Sequence, residues 1–345
     1  MPLPSTYKQY IFDERPTQYI TPTTFKSETK STSDLKVGPG QVLIKVSWIS
    51  LDPAMRSWLN DSKRAYTPPV KLGEVMRAAG LGVVAQVGEG SKFSVGDEVS
   101  GVVGWREYVV LDDKSVTELP TIPGAKALDF LGPLGHVGMT AYFGLIDIGK
   151  IKAGETLFVS GAAGAVGSVT CQIGKILGLK VVAIAGSDDK VEWLKKDIGV
   201  DVAINYKAPD FKEQVTAAGF ADVYFDNVGG DILNLMMTRM AMKGRIVLCG
   251  AISDYNGKSK GLANYTSLIA QRARIEGFVV MDYTKEYPVA MKAITEWIEK
   301  GLLKRKFHIV DGLDAAPSAL PLLYSGGNTG KLVVKVSEHE AIAKL

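Results

Sequence analysis

The stretch VSGAAGAVGSVTCQIGKILGLKVVAIAGSDDK, Val159–Lys190, decides the fold. An apolar strand, Thr156–Ser160, runs into a turn carrying Gly161, Gly164 and Gly167. A helical run, Val166–Leu177, follows, and a second apolar strand, Lys180–Ala185, closes the unit. Small residues between a strand and a helix let backbone N–H groups at the helix N-terminus approach a pyrophosphate, where the helix dipole favours negative charge. The strand–turn–helix–strand context separates these glycines from ordinary turn punctuation.

The end of the second strand selects the dinucleotide. An acid about 20 residues past the glycines would bond an adenosine ribose 2′-hydroxyl and repel a 2′-phosphate. This chain has Gly186 and Ser187 there, with Lys190 one helical turn on. Small residues leave room for a phosphate, and an ammonium offers it charge-assisted donors. NADP(H) is therefore expected over NAD(H). Asp188 and Asp189 read as first-turn acids of the next helix, with Ser187 as its N-cap.

Further along, strands are expected at Val202–Asn205, Asp222–Asp226, Arg245–Cys249 and Ile275–Val280, with helices at Lys190–Asp197 and Ile232–Met242 between them. Six strands alternating with helices predict a doubly wound parallel sheet, the Rossmann arrangement. FDNVGG (Phe225–Gly230) and CGAISDYN (Cys249–Asn256) lie at carboxyl ends of strands, where such sheets bind ligands. The first 120 or so residues differ in texture. QVLIKVSWISLD, GLGVVAQVGEG, GDEVSGVVG and REYVVL are short, β-rich and separated by glycine, which predicts a partly open β-barrel. HIVDGLDAAPSALPLLYSGGNTGKLVVKV returns to strand, short helix, turn and strand, and is expected to complete that first unit. The expected division is 1–125 with 310–345 for the barrel unit, and 126–309 for the coenzyme unit.

At 345 residues, 46% apolar and 22% charged, the chain is long enough for two cores, and its formal charge of +3 predicts no nucleic-acid partner. The start, MPLPSTYKQYIFDERP, lacks the apolar core of a secretory leader, and no apolar run suits a membrane span. A cytoplasmic protein is expected, and the two cysteines, Cys171 and Cys249, form no disulfide framework.

The motifs AAGAVGS, GSDDKVEWLKK, INYK, FDNVGG, CGAISDYN, FVV and GGNTGK, with LDPAMR near the start, resemble the zinc-independent medium-chain dehydrogenases/reductases. Within them the resemblance is to leukotriene B4 12-hydroxydehydrogenases/15-oxoprostaglandin 13-reductases and plant alkenal double-bond reductases. It implies a GroES-like barrel plus a Rossmann domain, with NADPH between them and hydride delivered to the β-carbon of an α,β-unsaturated aldehyde or ketone. On this resemblance Gly164, Ala165, Val166 and Gly167 cradle the pyrophosphate. Lys190 and Tyr206 hold the 2′-phosphate, with Ser187 nearby. Asn227 and the loop Cys249, Gly250, Ala251, Ile252, Ser253 and Tyr255 line the rest of the coenzyme. Phe278, Val279 and Val280 approach the nicotinamide, Thr140 lies beside it, and Asn328 reaches over from the first domain. Relatives commonly carry Tyr where LDPAMR has Ala54, so a roomier pocket is expected and substrate preference does not transfer.

The chain offers two cysteines and three histidines, His136, His308 and His339, with no metal-ligand spacing among them. A lone histidine in such settings is ordinarily structural, and no metal site is expected. Enone reduction instead needs a donor for the enolate oxygen, and Tyr255 is the candidate, since a phenol donates while neutral. A quinone oxidoreductase of the same superfamily and a non-catalytic NADPH-binding protein remain alternatives. RIEGFVV, Arg274–Val280, should be the sheet edge, poorly defended against pairing, so a homodimer is expected.

Overall fold

The computed structural model describes residues 3–62, 65–257, 259 and 261–338; His339 and the end of the chain lie outside them. The chain opens with the pair β1 (Thr6–Phe12) and β2 (Phe25–Ser31). Then come β3 (Gln41–Ser50), the short helix α1 (Met55–Trp58), β4 (Ala79–Val87), β5 (Glu98–Val102), β6 (Tyr108–Asp112) and β7 (Val116–Glu118). Helix α2 (His136–Phe143) leads into the alternating half of the chain. This half comprises β8 (Thr156–Val159), α3 (Ala165–Ile176), β9 (Lys180–Ala185), α4 (Asp188–Trp193), β10 (Val202–Asn205), α5 (Phe211–Ala218), β11 (Ala221–Asp226), α6 (Gly230–Met236), β12 (Met240–Leu248), α7 (Ser267–Gln271), β13 (Arg274–Gly277) and α8 (Tyr287–Glu299). It closes with β14 (Phe307–Asp311), the short helices α9 (Ala316–Ala319) and α10 (Leu322–Ser325), and β15 (Lys331–Lys335).

Strands β10-β9-β8-β11-β12-β13 form one sheet in that order, all parallel. Numbered from β8, this is the order 3-2-1-4-5-6 of a dinucleotide-binding sheet, with its switch point between β8 and β11. Strand alternation buries both faces. Leu157 and Val159 pack with α2, α3 and α8, while Phe158, Val182, Ile184 and Tyr224 pack on the other side with Val215 of α5 and Ile232 of α6. The second sheet runs β14-β15-β3-β4-β5-β7, with β6 also on β3. Its core gathers Ile44, Ile49, Met55, Trp105 and Leu332. The returning segment thus joins the first unit's sheet, because β15 pairs β3 antiparallel, Val333 opposite Ser50.

Several element bounds differ from expectation, most of them by one or two residues. The sixth strand stops at Gly277, where pairing with β12 ends, and Val280–Tyr283 turns in a single helical turn. Helix α6 and its tightened last turn end at Arg239, so Met240–Met242 belong to β12. Met240 pairs with Ala221, and Lys243 at φ +61° carries the irregularity that lets β12 begin early.

Candidate active site

Gly161 leaves β8 at φ +59°, a left-handed conformation that favours glycine, and a Cβ there would also lie 3.3 Å from Asn227. Gly164 is the N-cap of α3. A Cβ on Gly167 would sit 2.3 Å from the Gly161 carbonyl oxygen, so the first helical turn packs on its own loop with no side chain between. No acid lies in that turn to repel an anion. The Gly326–Gly330 loop docks on this turn. The Gly330 N–H donates to Ala163 O at 2.8 Å, and the buried Asn328 amide donates to Gly330 O at 3.0 Å.

At the ends of β9 and β10, Gly186, Ser187, Lys190 and Tyr206 come together. A Cβ on Gly186 would meet the Tyr206 ring at 2.8 Å, which is why this corner carries glycine. Ser187 occupies the N-cap of α4, but its hydroxyl makes no capping bond, contrary to expectation. Asp188 is instead held from outside the helix by Asn205, at 2.7 Å. Lys190 Nζ donates to Gly326 O at 2.8 Å. Burial lowers the Lys190 pKa, and the Lys207 charge lowers it further. Lys207, which lies 5.9 Å over the Tyr206 ring, is a cation that motif reasoning passed over; its place directly after Tyr206 in INYK was the available signal. Two converging ammonium groups suit a phosphate.

Asp226 ends β11, fully buried, and accepts from Ser160 Oγ and Tyr224 OH at 2.7 Å and from the amides of Val228 and Gly229. Burial pushes its pKa up despite those donors. This knot fixes the loop at Asn227, whose side-chain amide donates to Ser160 O at 2.8 Å. The following loop is laced onto it: Cys249 and Gly250 donate to Asp226 O, Ile252 to Asn227 O and Ser253 to Val228 O. Tyr255 folds back so that its hydroxyl accepts the Ala251 N–H at 3.3 Å. A cavity of about 380 Å³, lined by Asp226, Gly229, Cys249, Tyr255 and Leu262, opens beside it. Burial raises the Tyr255 pKa and pushes the Cys249 thiol to about 12, so both stay protonated. Phe278 packs toward Gly144, and Val280 accepts from Tyr287 OH at 3.3 Å. Thr140 in α2 donates to His136 O at 2.6 Å.

Family models match along most of this frame: the N-terminal domain of oxidoreductase over residues 8–119 and zinc-binding dehydrogenase over residues 165–296. The tobacco NADP-dependent 2-alkenal reductase is 38% identical over 316 residues, 89% of this chain and 91% of the relative. Mouse prostaglandin reductase 1 is 38% identical over 325 residues, 91% of this chain and 95% of the relative. The crystal structure of CurA from Vibrio vulnificus in complex with NADPH superposes with a TM-score of 0.89 at 35% identity, covering 96% of this chain and 99% of that one. The chain belongs to the zinc-independent medium-chain dehydrogenases/reductases. It is an NADP-dependent oxidoreductase, and its glycine turn and lysine pair fit that coenzyme.

Among the described residues no three His, Cys, Asp or Glu side chains converge to hold a metal ion, and no helix is long and apolar enough to cross a membrane. The medium-chain reductase cleft gathers groups to which the sequence reading gave no role, although Asp52 and Arg56 lie in LDPAMR and Lys331 in GGNTGK. Asp52, at the end of β3, accepts from the buried Lys331 ammonium at 2.6 Å and from Ser50. Burial works to raise the Asp52 pKa, but Lys331, Ser50 and the nearby His136 outweigh it and hold the carboxyl below its usual value. Burial raises the Tyr66 pKa, and the Asp52 carboxylate raises it further. Arg56, next to Met55 in LDPAMR, donates to Asn256 at 3.0 Å and so ties the barrel to the Tyr255 loop.

Proposed function

We propose that this oxidoreductase reduces the carbon–carbon double bond of α,β-unsaturated aldehydes and ketones, with hydride delivered to the β-carbon and no metal. Bound NADPH supplies the hydride. Tyr255 carries the proposal: its oxygen accepts the Ala251 N–H, so the phenol hydrogen is available to donate, and burial keeps that hydrogen in place at neutral pH. A fixed neutral donor meets the need of a carbonyl oxygen that becomes an enolate oxygen. The relatives' names support the substrate class, one giving a 2-alkenal and the other a prostaglandin. Thr140, Phe278, Val279 and Val280 would face the nicotinamide, the Gly164–Gly167 turn the pyrophosphate, and Ser187, Lys190, Tyr206 and Lys207 the 2′-phosphate. Asn227, the Cys249–Tyr255 loop and Asn328 would line what lies between. We further propose a cytoplasmic homodimer, with residues 1–125 and 310–345 as the barrel unit and 126–309 as the coenzyme unit; β14 starts three residues before that bound and pairs with β15 throughout, so Phe307–Ile309 go with the barrel sheet.

The test is consumption of NADPH with a 2-alkenal, an acyclic enone and a quinone, each repeated with NADH. Saturated aldehyde and ketone products, formed faster with NADPH, are expected. Quinone turnover without any reduction of the alkenal or enone would overturn the proposal.

A further inference from the structure

Arg56 of α1 is 2% exposed, and among the described residues every acceptor of its guanidinium is a neutral oxygen. Nε donates to Gln18 O at 3.1 Å and to Asn256 Oδ1 at 3.0 Å. Nη1 donates to Asn60 Oδ1 at 2.7 Å, and Nη2 to Gln18 O at 2.9 Å and Pro16 O at 3.4 Å. A buried cation with no carboxylate is costly to hold. What it offers in return is geometry, because a planar fork of five donors fixes several acceptors at once. Pro16, Gln18 and Asn60 belong to the barrel's own part of the chain. Asn256 does not: it directly follows Tyr255 in the loop after β12. An arginine only donates, so the Asn256 amide oxygen must face it, and that side chain is oriented as well as placed. Upstream, the loop holds Tyr255 by its own backbone. The hydroxyl accepts the Ala251 N–H at 3.3 Å, and the Asp254 N–H donates to Ala251 O at 2.9 Å. Downstream, Gly257 N–H reaches Asp254 O only at 3.3 Å, and the anchor is Arg56. Tyr255 therefore stands between one anchor in its own loop and one in the barrel.

We propose that Arg56 is a positioning residue, which through Asn256 sets where the Tyr255 hydroxyl stands relative to the barrel side of the cleft. This rests on the reading of Tyr255 as donor to the enolate oxygen. A donor on the coenzyme unit serves a substrate held against the barrel only if the two units keep a fixed relation at that point. A misplacement of about 1 Å can cost a hundredfold in rate. Arg56 itself is too buried to touch substrate, so its whole effect passes through the tie.

The experiment uses the full-length enzyme with NADPH and an acyclic enone, where an isotope effect with 4-deuterated NADPH shows that chemistry limits turnover. Asn256→Leu removes the tie alone, since Arg56 Nε keeps Gln18 O. It should lower kcat about tenfold, short of the full loss of a donor, with KM and NADPH affinity almost unchanged. Asn256→Asp keeps an acceptor for Nε and should restore most of the turnover. Arg56→Lys keeps the charge, loses the fork and should resemble Asn256→Leu; if it does not fold, the Asn256 variants decide. Tyr255→Phe combined with Asn256→Leu should be no slower than Tyr255→Phe alone, because the tie acts through the hydroxyl. Wild-type kcat in Asn256→Leu, or an equal loss with and without the Tyr255 hydroxyl, overturns the inference. Wild-type kcat in Tyr255→Phe overturns the Tyr255 reading, and the inference with it.

Discussion

The Lys190 ammonium donates to the Gly326 carbonyl at 2.8 Å, joining the helix after β9 to the loop that carries Asn328. One side chain thus serves the proposed 2′-phosphate site and the contact between the two units. Lys190→Ala should weaken NADPH by about 1.5–3 kcal/mol, the range for a charge-assisted bond, and leave NADH almost unchanged. Lys207→Ala should act in the same direction and less strongly, because its ammonium already lies over Tyr206. Titration of both coenzymes checks this, and equal losses for the two would remove the phosphate assignment.

Gly167→Ala places a methyl group 2.3 Å from Gly161 O and 2.8 Å from the Ala162 Cα, both backbone atoms that cannot swing aside. Overpacking of this kind costs about 1–3 kcal/mol. The variant should unfold at a lower temperature without coenzyme and should bind both NADPH and NADH more weakly. Unchanged Tm together with unchanged coenzyme affinity would show that the turn has slack the geometry does not suggest.

Asp52→Asn leaves the Lys331 ammonium, 3% exposed, with the Leu51 carbonyl at 2.9 Å and no carboxylate. Breaking a fully buried pair from one side costs about 3–5 kcal/mol, and because the Asp52 side chain is 35% exposed the cost here should fall below that range. The folded-state pKa of Asp52 lies below its usual value. Its stabilisation is therefore complete above the ordinary carboxylate pKa, about 3.9, and is lost as pH falls through the folded-state value. Urea unfolding of both proteins should show the full gap at pH 7 and a narrowing gap in acid. A gap that stays constant into acid would mean that the pair is not the source.

Much of the coenzyme half was legible because parallel strands buried on both faces are continuous apolar runs with clear punctuation. Lys180–Ala185 and Val202–Asn205 fall on β9 and β10 residue for residue. Met240–Met242 misled because a short apolar run fits a helix end or a strand start equally well, and only pairing with Ala221 decides between them. Ile275–Val280 misled because Phe278 is apolar for packing by Gly144, not for a strand. The cleft was least legible. Asp52, His136 and Lys331 are separated by long stretches of chain, and only the fold brings them together. His136, expected to be structural, lies exposed beside Asp52 and Tyr287.

The six-stranded sheet has two edges, β10 and β13; β13 has Arg274, Glu276 and Gly277 exposed and Ile275 half-buried. Its charge is internally matched, since Arg274 lies 3.6 Å from Glu276, so a second copy of the strand meets no uncompensated repulsion. Pairing about a twofold axis would join the two sheets. Light scattering at micromolar concentration should give the mass of a dimer, and Ile275→Pro, which distorts the edge strand, should shift it toward monomer. A wild-type monomer would contradict the proposal.

Tyr255 should assist the developing enolate rather than anchor the substrate in its ground state. Among the described residues its oxygen is engaged by Ala251 and its hydrogen meets no acceptor, so the phenol is oriented before any substrate arrives. Removing one donor of this kind typically costs about 10²–10³ in rate. The cleft is open enough for water to substitute in part, which places the expected loss at the lower end of that range or below it. Tyr255→Phe retains the ring against Gly250 and the loop held by Asp226, so folding and NADPH affinity should barely change. The loss should appear in kcat with enones, while KM moves little. The comparison must be made where chemistry limits turnover, which a primary isotope effect with 4-deuterated NADPH establishes. A Phe variant that keeps wild-type kcat under those conditions across several enones makes Tyr255 a wall of the cavity and assigns enolate stabilisation to water.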